Sequence, residues 1–441
     1  MSISNRIKNI TVDGNDGWDV FNKARKMISQ GEKINELSIG EHDIRTDRAI
    51  IDAMHRSALE GNTGYAEMQG IYKLRALIAD LNEKKTGVIT KPENVIITPG
   101  GQAGLFASHM ALCNEGDKAL YLDPYYATYP GTIRSVGAKD LPIKTLAENN
   151  FQPTFKEIDR EANDAKSLLI NSPNNPTGAV YTKKTMNEIS EAVMKHDLWL
   201  ISDEVYDCQI WKGEHISPRS IEEIKDKTLV IGSMSKSHAM TGFRCGWVIG
   251  PEDIVKHMVN LATSTTYGVP GFIQEAAYFA LLQGTASTAR VSEPFFRRYK
   301  LATKIFKHSN VLKLVPSSGT MYLMVDVRQT GLSGTMFANL LLETQKIAVM
   351  PGESFGESAA GHLRIAMTVS DNEFEKSLAK IHKVKYCIVT SGCTSALHLA
   401  IKSLGIGKGD EVICPDLTFI APANMIVLSG ENIKLKLFDE R

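Results

Sequence analysis

The sequence has no excess of either charge and no apolar run long enough to cross a membrane. Its 441 residues include 50 basic and 50 acidic side chains, so the formal net charge is zero. A nucleic-acid-binding or polybasic membrane surface needs a positive excess, so the balance argues against both and favours small-molecule chemistry. The polar start, MSISNRIKNITVDGNDGWDV, lacks the apolar core that a signal peptide requires.

The six cysteines form no CxxC pair and no Cys/His cluster at metal-ligand spacing. We therefore predict no metal site, and we interpret the cysteines as buried thiols in a reducing compartment. With no signal peptide and no membrane span, this predicts a cytoplasmic protein. The hydrophobic content of 43% and the length allow two or three domains with a large core.

Short apolar runs alternate with helix-like segments from residue 94 onward. The candidate strands are 95–98, 119–122, 167–170, 198–201 and 228–231. Nearly continuous apolar strands between helices predict an α/β domain whose mostly parallel sheet is covered by helices. Ligands bind such sheets beyond the carboxyl ends of the strands, so the loops after these runs are the candidate site.

The character of the sequence changes near residue 290. Helix-like Ala302–His308 precedes a strand at Met321–Val325, and a helix around 335–345, two short strands and a closing helix at 371–383 follow. This order predicts a smaller α+β domain, completed by an amphipathic helix over residues 15–35. The predicted division is an N-terminal arm over 1–45, a large domain over 46–285, a small domain over 286–385 and an appended segment over 386–441.

Polar motifs follow the candidate strands. In chain order they are Thr98-Pro99-Gly100-Gly101-Gln102, Asn174-Asn175-Pro176-Thr177-Gly178, Ser202-Asp203-Glu204-Val205-Tyr206, Ser233-Met234-Ser235-Lys236 and Gly242-Phe243-Arg244-Cys245-Gly246. Each alone also fits a turn, a helix cap or a solvated surface. Together, the glycines expose backbone N–H groups at a helix start, and the serines, lysine and arginine form a phosphate cradle. A carboxylate buried beside a heteroaromatic ring would keep a ring nitrogen protonated.

The five motifs in this order resemble the class I and II aminotransferases, the fold-type I pyridoxal-phosphate enzymes typified by bacterial aspartate aminotransferases. The resemblance covers about residues 10–385 and implies pyridoxal 5′-phosphate as the cofactor. It implies that Lys236 carries the cofactor as a Schiff base and then moves the substrate proton. It also implies that Asp203 pairs with the pyridinium nitrogen, and that Tyr206 and Asn175 hydrogen-bond the phenolic oxygen.

The resemblance implies the rest of the site as well. Tyr126 would stack on the cofactor ring, although a tyrosine there also fits core packing. Arg364 would clamp the α-carboxylate beside the backbone of Gly40 and the amide of Asn175, although a strand arginine also fits a solvated face. The phosphate would be bound by Gly101, Gln102, Ser233, Ser235, Arg244 and, from the neighbouring subunit, Tyr65. That last residue implies a homodimer with shared active sites.

The chain departs from the family pattern after Gly40. The family often has Gly-x-Pro-Asp, whereas this chain has Gly40-Glu41-His42-Asp43. His42 either contacts a substrate side chain or, as the sequence favours, is a solvated loop histidine. A preference for acidic substrates would need a second cation. Arg45 and Arg48 are near in sequence, but we expect them to be surface charges.

The tail repeats the pattern of residues 95–144. Cys393-Thr394-Ser395-Ala396-Leu397-His398, Gly407-Lys408-Gly409-Asp410 and Thr418-Phe419 resemble the start of the sugar aminotransferases of the DegT/DnrJ/EryC1 type. The resemblance implies a phosphate turn near Cys393-Thr394 and a stacking aromatic at Phe419. The Asp-Glu and Ser-x-Ser-Lys motifs are missing from this stretch, so we predict that it is not catalytic by itself.

The predicted function is transfer of an amino group between an L-amino acid and a 2-oxo acid by a ping-pong mechanism through Lys236. A β-eliminating pyridoxal-phosphate lyase shares these motifs, and a catalytically inactive pyridoxal-phosphate-binding regulator is a further alternative. Aspartate-like, aromatic and alanine-like substrates all stay open at this point.

Overall fold

The computed structural model describes residues 3–11, 17–307 and 309–382, together with the backbone of residues 411–415 and 432–436. These residues form two units. One contains the described residues up to Arg328 and from Ser333 to His382. The other contains Gln329–Leu332 and the two tail strands. The predicted domain boundaries near residues 45, 285 and 385 stay predictions.

The α-helices of the described residues are α1 (Asn5–Lys8), α2 (Asp19–Ser29), α3 (Arg48–Leu59), α4 (Tyr72–Thr86), α5 (Gly101–Leu112), α6 (Tyr129–Ser135), α7 (Phe155–Glu161), α8 (Lys183–Lys195), α9 (Met234–Ser237), α10 (Glu252–Ser264), α11 (Gly271–Leu282), α12 (Thr285–Phe306), α13 (Gly334–Gln345) and α14 (Asp371–His382). None of them is long and apolar enough to cross a membrane.

The strands are β1 (Asn35–Glu36), β2 (Val95–Thr98), β3 (Lys118–Asp123), β4 (Lys139–Lys144), β5 (Ala165–Asn171), β6 (Trp199–Asp203), β7 (Thr228–Ser233), β8 (Gly246–Ile249), β9 (Lys313–Leu314), β10 (Tyr322–Asp326), β11 (Ile347–Ala348), β12 (Met350–Pro351), β13 (His362–Ala366), β14 (Glu411–Pro415) and β15 (Asn432–Lys436). All five predicted strands of the large sheet are present. The strands β4 and β8 were not predicted.

A seven-stranded sheet has the order β2-β8-β7-β6-β5-β3-β4. The run β7-β6-β5-β3-β4 is parallel, and β8 is antiparallel to both of its neighbours. The strand β2 therefore points the same way as β7. The carboxyl ends of β2, β3, β5, β6 and β7 consequently meet at one edge of the sheet, as the α/β prediction requires.

Both faces of this sheet are covered. Leu169 and Ile201 pack with Leu105 of α5 on one face, whereas their neighbours Leu168 and Leu200 pack on the other face with helices α7 and α8. Adjacent strand residues point to opposite faces, so a strand covered on both sides must be apolar at every position. This arrangement explains the continuous apolar runs of the sequence and confirms the predicted fold class.

A second, antiparallel sheet has the order β12-β13-β10-β9. Helix α2 packs on β11, β12 and α13, so the N-terminal helix joins this part of the fold. Helix α12 is much longer than the predicted Ala302–His308, because it begins at Thr285 and continues through Pro294. In the second unit, β14 and β15 pair in parallel, with Glu411 opposite Asn432.

Candidate active site

A cavity of about 470 Å³ lies at the carboxyl edge of the large sheet. Its walls contain every predicted site residue except Tyr65. They are Gly40, Gly101, Gln102, Tyr126, Asn175, Asp203, Tyr206, Ser233, Ser235, Lys236, Arg244 and Arg364. The motifs of Gly101, Asn175, Asp203 and Lys236 converge because each follows a strand that ends at this edge, and Arg244 joins them from the segment before the antiparallel strand β8.

One end of the cavity is built to bind an anion. The N–H groups of Gly101 and Gln102 begin α5 and make no hydrogen bond to a described residue, so they are free at the positive end of the helix dipole. Gly100 has a φ of 82°, and a Cβ there would lie 2.4 Å from Nη2 of Arg244. Only glycine at this position lets the arginine approach the helix start. The hydroxyl of Ser233 donates to that of Ser235 at 3.0 Å on the same side.

Lys236 lies in the last turn of the short helix α9, just beyond β7. Its Nζ donates a hydrogen bond to the carbonyl oxygen of Gly40. Burial and the positive charge of Arg364 lower the pKa of Lys236, and Tyr322 partly opposes them. A lysine with a lowered pKa holds more of its amine in the nucleophilic neutral form.

Asp203 lines the cavity at the end of β6, where it is 4% exposed. Its Oδ2 accepts a hydrogen bond of 2.7 Å from the hydroxyl of Tyr129, and its Oδ1 accepts from the backbone N–H of Val205 at 3.3 Å. Burial outweighs both donors and raises the pKa of Asp203 to about 6. A buried carboxylate of this kind favours a cationic partner in the cavity.

Two tyrosine hydroxyls meet above Lys236. Tyr206 donates to the hydroxyl of Tyr322 at 3.2 Å. Burial raises the pKa of Tyr206, whereas for Tyr322 the charges of Lys236 and Arg364 outweigh burial and lower the pKa. Tyr126 lines the cavity as well, with its ring edge-on to that of Tyr129 at 5.8 Å between centroids.

Arg364 is 2% exposed and is held between the rings of Tyr322 and Phe355, at 4.3 and 4.4 Å from their centroids. Its Nη1 donates to Oδ1 of Asn175 at 3.0 Å, and its Nη2 donates to the carbonyl oxygen of Ser38 at 2.5 Å. Its buried Nε has no partner among the described residues. The prediction of a lined pocket, rather than a solvated strand face, agrees with this position.

The turn that carries Asn175 is fixed by Asn171, the last residue of β5. Oδ1 of Asn171 accepts from the backbone N–H of Asn175 at 2.8 Å, and its Nδ2 donates to the carbonyl oxygen of Asp203 at 2.9 Å. One side chain therefore ties together the ends of two neighbouring strands. The Nδ2 of Asn175 makes no hydrogen bond to a described residue and is available to a ligand in the cavity.

The expectation of a solvated loop histidine at position 42 is wrong. The ring of His42 packs on that of Phe295 at 5.5 Å, and its Nε2 lies 3.0 Å from the carbonyl oxygen of Lys236. Burial and the nearby Lys236 charge lower the pKa of His42 to about 3, so its ring is neutral. His42 does not line the cavity in the described structure, and its visible contact is with the backbone of the lysine segment.

Tyr65 and the two nearby arginines of the sequence analysis, Arg45 and Arg48, also lie outside the cavity. Tyr65 is 87% exposed and contacts the ring of Tyr267 at 5.0 Å. Arg45 is exposed, and Arg48 is exposed beside Asp52, as surface charges would be. Cys393, Thr394 and Phe419 of the tail lie outside the described residues.

The wall residues that the sequence did not single out include Trp18, Tyr129, Asn171 and Tyr322. Asn171 left a visible signal, because it is a polar residue that ends an apolar strand. Tyr322 left none, since an aromatic residue within an apolar strand has the pattern of a core residue.

These features suit pyridoxal phosphate. Free N–H groups and an arginine match a phosphate, a buried carboxylate matches a protonated ring nitrogen, and a lysine with a lowered pKa matches an aldehyde.

The comparison with known proteins identifies the family. The family model described as aminotransferase class I and II matches residues 32–381. The chain is a class I and II aminotransferase. It uses pyridoxal phosphate as its cofactor and transfers amino groups between amino acids and 2-oxo acids.

This aminotransferase is 37% identical over 382 residues to the arginine–pyruvate transaminase of Pseudomonas aeruginosa, with 86% of this chain and 97% of that protein covered. It is 33% identical over 366 residues to the aspartate/prephenate aminotransferase of Thermus thermophilus, with 82% and 94% covered. A solved structure of the Thermus thermophilus aspartate aminotransferase with maleate superposes with a TM-score of 0.81 at 31% identity, covering 87% of this chain and 100% of that one.

A second family model, described as the DegT/DnrJ/EryC1/StrS aminotransferase family, matches residues 359–434. This match supports the resemblance drawn for the tail. Of the matched part of the tail, the structure describes the backbone of β14 and of the first residues of β15.

Proposed function

We propose that Lys236 is the residue to which this aminotransferase attaches its cofactor, and that the surrounding residues have the roles inferred from their sequence motifs. When bound, pyridoxal phosphate supplies a carbonyl group that condenses with amines and a ring that withdraws electrons from the substrate Cα. The observation that supports this assignment most strongly is the convergence of Asp203 at the end of β6, Lys236 after β7 and Arg244 before β8 on one cavity.

Each residue contributes through a group that the structure leaves free or charged. Gly101, Gln102 and Arg244 bind the phosphate, with the hydroxyls of Ser233 and Ser235 beside them. Asp203 holds a proton on the ring nitrogen, because a buried carboxylate is stabilised by a cation.

The ring and its substituents have their own partners. Tyr126 packs on the ring face, and Nδ2 of Asn175 and the hydroxyl of Tyr206 donate to the phenolic oxygen.

Arg364 binds the α-carboxylate of the substrate. Its Nη1 and Nη2 each donate to one protein oxygen, and each has a second N–H that can bind a carboxylate. The rings of Tyr322 and Phe355, which lie against the guanidinium, fix its orientation. The carbonyl oxygen of Gly40 then orients the incoming amino group, since it already accepts a hydrogen bond from Lys236.

Lys236 moves the proton between the substrate Cα and the cofactor. A base suits this task when its pKa lies near the working pH, and burial lowers the pKa of Lys236 in that direction. The neutral ring of His42 and the side-chain Nε2 of Gln209 both lie against the Lys236 carbonyl oxygen, at 3.0 and 2.9 Å. These contacts fix the backbone from which the lysine side chain swings.

The active unit that we propose is a homodimer. Tyr65 is exposed and outside its own cavity, so its hydroxyl is available to the phosphate site of a second subunit. We also propose a cytoplasmic location, which the free thiols of Cys113 and Cys245 support.

The two named relatives act on different donors by name, one on arginine and the other on aspartate, so relatives alone leave the donor of this chain undecided. The charges of the cavity wall are a more direct guide to the donor.

The test is an absorbance spectrum of the wild type beside Lys236→Ala, with Lys33→Ala as a control because Lys33 is exposed and outside the cavity. We expect a visible cofactor band in the wild type and the control. An amino acid should bleach it and a 2-oxo acid should restore it, while the Lys236→Ala protein lacks the band. Release of ammonia while the band persists, or returns without any added 2-oxo acid, would instead indicate elimination.

A further inference from the structure

Glu41 is an acidic residue of the cavity wall with no assigned partner. It follows Gly40, is exposed, and makes no hydrogen bond or ion pair with a described residue. The other acids of this loop are engaged. Asp43 accepts from both terminal nitrogens of Arg298, at 2.9 and 2.7 Å, and Asp47 pairs with Arg290 at 3.3 Å.

Each cationic side chain of the cavity wall, in contrast, has a binding role in the proposed function. Within the part of the chain that the structure describes, they are Lys236, Arg244 and Arg364. The proposed function assigns them to the cofactor aldehyde, the phosphate and the α-carboxylate. No described cation of this subunit's wall is left for a second carboxylate on the substrate, whereas one carboxylate is left for a cation.

The same cavity has apolar wall residues that suit the stem of a long side chain ending in a charge. Ile39 and Trp18 both line the cavity, and the Trp18 ring is held edge-on to that of Phe21 at 5.5 Å. An apolar wall packs against the methylene stem of a long cationic side chain, and an indole face attracts a planar cation. Negative charge from Glu41 reaches the reaction centre, since it raises the pKa of Lys236 against the effect of burial.

We propose that the amino donor is an L-amino acid with a positively charged side chain, such as arginine or lysine, and that Glu41 binds that charge. This inference rests on the proposed function and deepens it, because it names the substrate class of the same cavity. Glu41 is then a specificity residue and takes no part in the proton transfer.

The experiment uses the cofactor-loaded protein and follows bleaching of its visible band in single-turnover reactions. Arginine is compared with citrulline, which has nearly the same shape without the charge, and with aspartate. We expect arginine to react at least about tenfold more efficiently than citrulline, the size of one charge-assisted hydrogen bond, and aspartate to react more slowly still. In the Glu41→Gln variant, arginine and citrulline should react with nearly equal efficiency. Glu223→Gln, an exposed acid outside the cavity, should leave the ratio unchanged.

A second measurement does not depend on turnover. δ-Guanidinovalerate has the carboxylate and the guanidinium of arginine but no amino group. Hexanoate has the same carboxylate but no charge at the other end of the chain. Calorimetric titration should show tighter binding of δ-guanidinovalerate to the wild type, and Glu41→Gln should remove most of that advantage. Equal binding of both acids to the wild type would overturn the proposal.

The outcomes separate this inference from the proposed function. If aspartate bleaches the band as efficiently as arginine, or if Glu41→Gln keeps the ratio of arginine to citrulline, the protein is an aminotransferase but the assignment of Glu41 is wrong. If no amino acid bleaches the band, the roles given to Lys236 and Arg364 fail as well, and this inference fails with them.

Discussion

Replacing Asp203 by asparagine should have opposite effects on the protein with and without its cofactor. The carboxylate is almost fully buried and hydrogen-bonded to Tyr129, and burial raises its pKa to about 6. An unfolded chain has an aspartate pKa near ~3.9. Between these two values the folded protein binds about one proton more than the unfolded chain, so the free energy of unfolding falls as the pH rises.

The size of the effect follows from the two pKa values. A shift of about two pKa units corresponds to about 3 kcal/mol, because one unit is about 1.4 kcal/mol. This stability is fully present below about pH 4 and is lost as the pH rises through about 6. The asparagine of the Asp203→Asn variant cannot ionise, so the cofactor-free variant should gain about 3 kcal/mol relative to the wild type between those limits. With the cofactor bound, the charge pair between Asp203 and the ring nitrogen should make the wild type the more stable protein at neutral pH.

The assay is denaturant unfolding of the wild type and Asp203→Asn, at one protein concentration, across a series of pH values, with and without pyridoxal phosphate. Subtracting the free energy of unfolding of one protein from that of the other at each pH removes the contributions of the other titrating groups, which the two proteins share. If this difference in free energy does not change with pH in the cofactor-free proteins, the account of Asp203 as a buried carboxylate with a raised pKa is refuted. A cofactor-free variant that is less stable at neutral pH would refute it too.

Three further substitutions test other parts of the site. Arg364→Lys should lower kcat/KM by about 100-fold while the cofactor band persists, because an ammonium cannot replace the fork, and a loss of only a few-fold would place the carboxylate elsewhere. Tyr129→Phe removes a hydrogen-bond donor that lowers the pKa of Asp203, so the pH at which the cofactor-free protein loses stability should move upward. If the midpoint of this pH-dependent loss does not move, the 2.7 Å hydrogen bond between Tyr129 and Asp203 is energetically neutral. Tyr65→Phe mixed with Lys236→Ala should regain activity through hybrid dimers that have one intact site, and a mixture no more active than its parts would argue against shared sites.

The placement of most site residues was predictable because it follows from hydrophobic patterning. Continuous apolar runs mark strands covered on both faces, and strands of one parallel sheet end at one edge. A motif directly after such a run, such as Ser233-Met234-Ser235-Lys236 after β7, is therefore located without knowledge of any long-range contact.

Residues whose roles depend on tertiary packing could not be placed in this way. Tyr129 contacts Asp203 from the start of helix α6, and Tyr322 lines the cavity from β10 of the second sheet. The burial of His42 depends on Phe295, which is far along the chain, so a loop sequence with charged neighbours gave the wrong expectation. Helix α12 was underestimated because Pro294 lies inside it, and a proline within a helical pattern normally suggests a break.

The most direct test of the central claim is to locate the cofactor on the chain. Borohydride reduction of the cofactor-loaded protein joins the cofactor carbon to the lysine nitrogen, and peptide mass spectrometry then identifies the modified residue. We predict a single phosphopyridoxyl group on Lys236, lost when the protein is first incubated with a reactive amino acid. Modification of another lysine, or of several lysines in proportion to their exposure, would contradict the assignment of this cavity as the catalytic site.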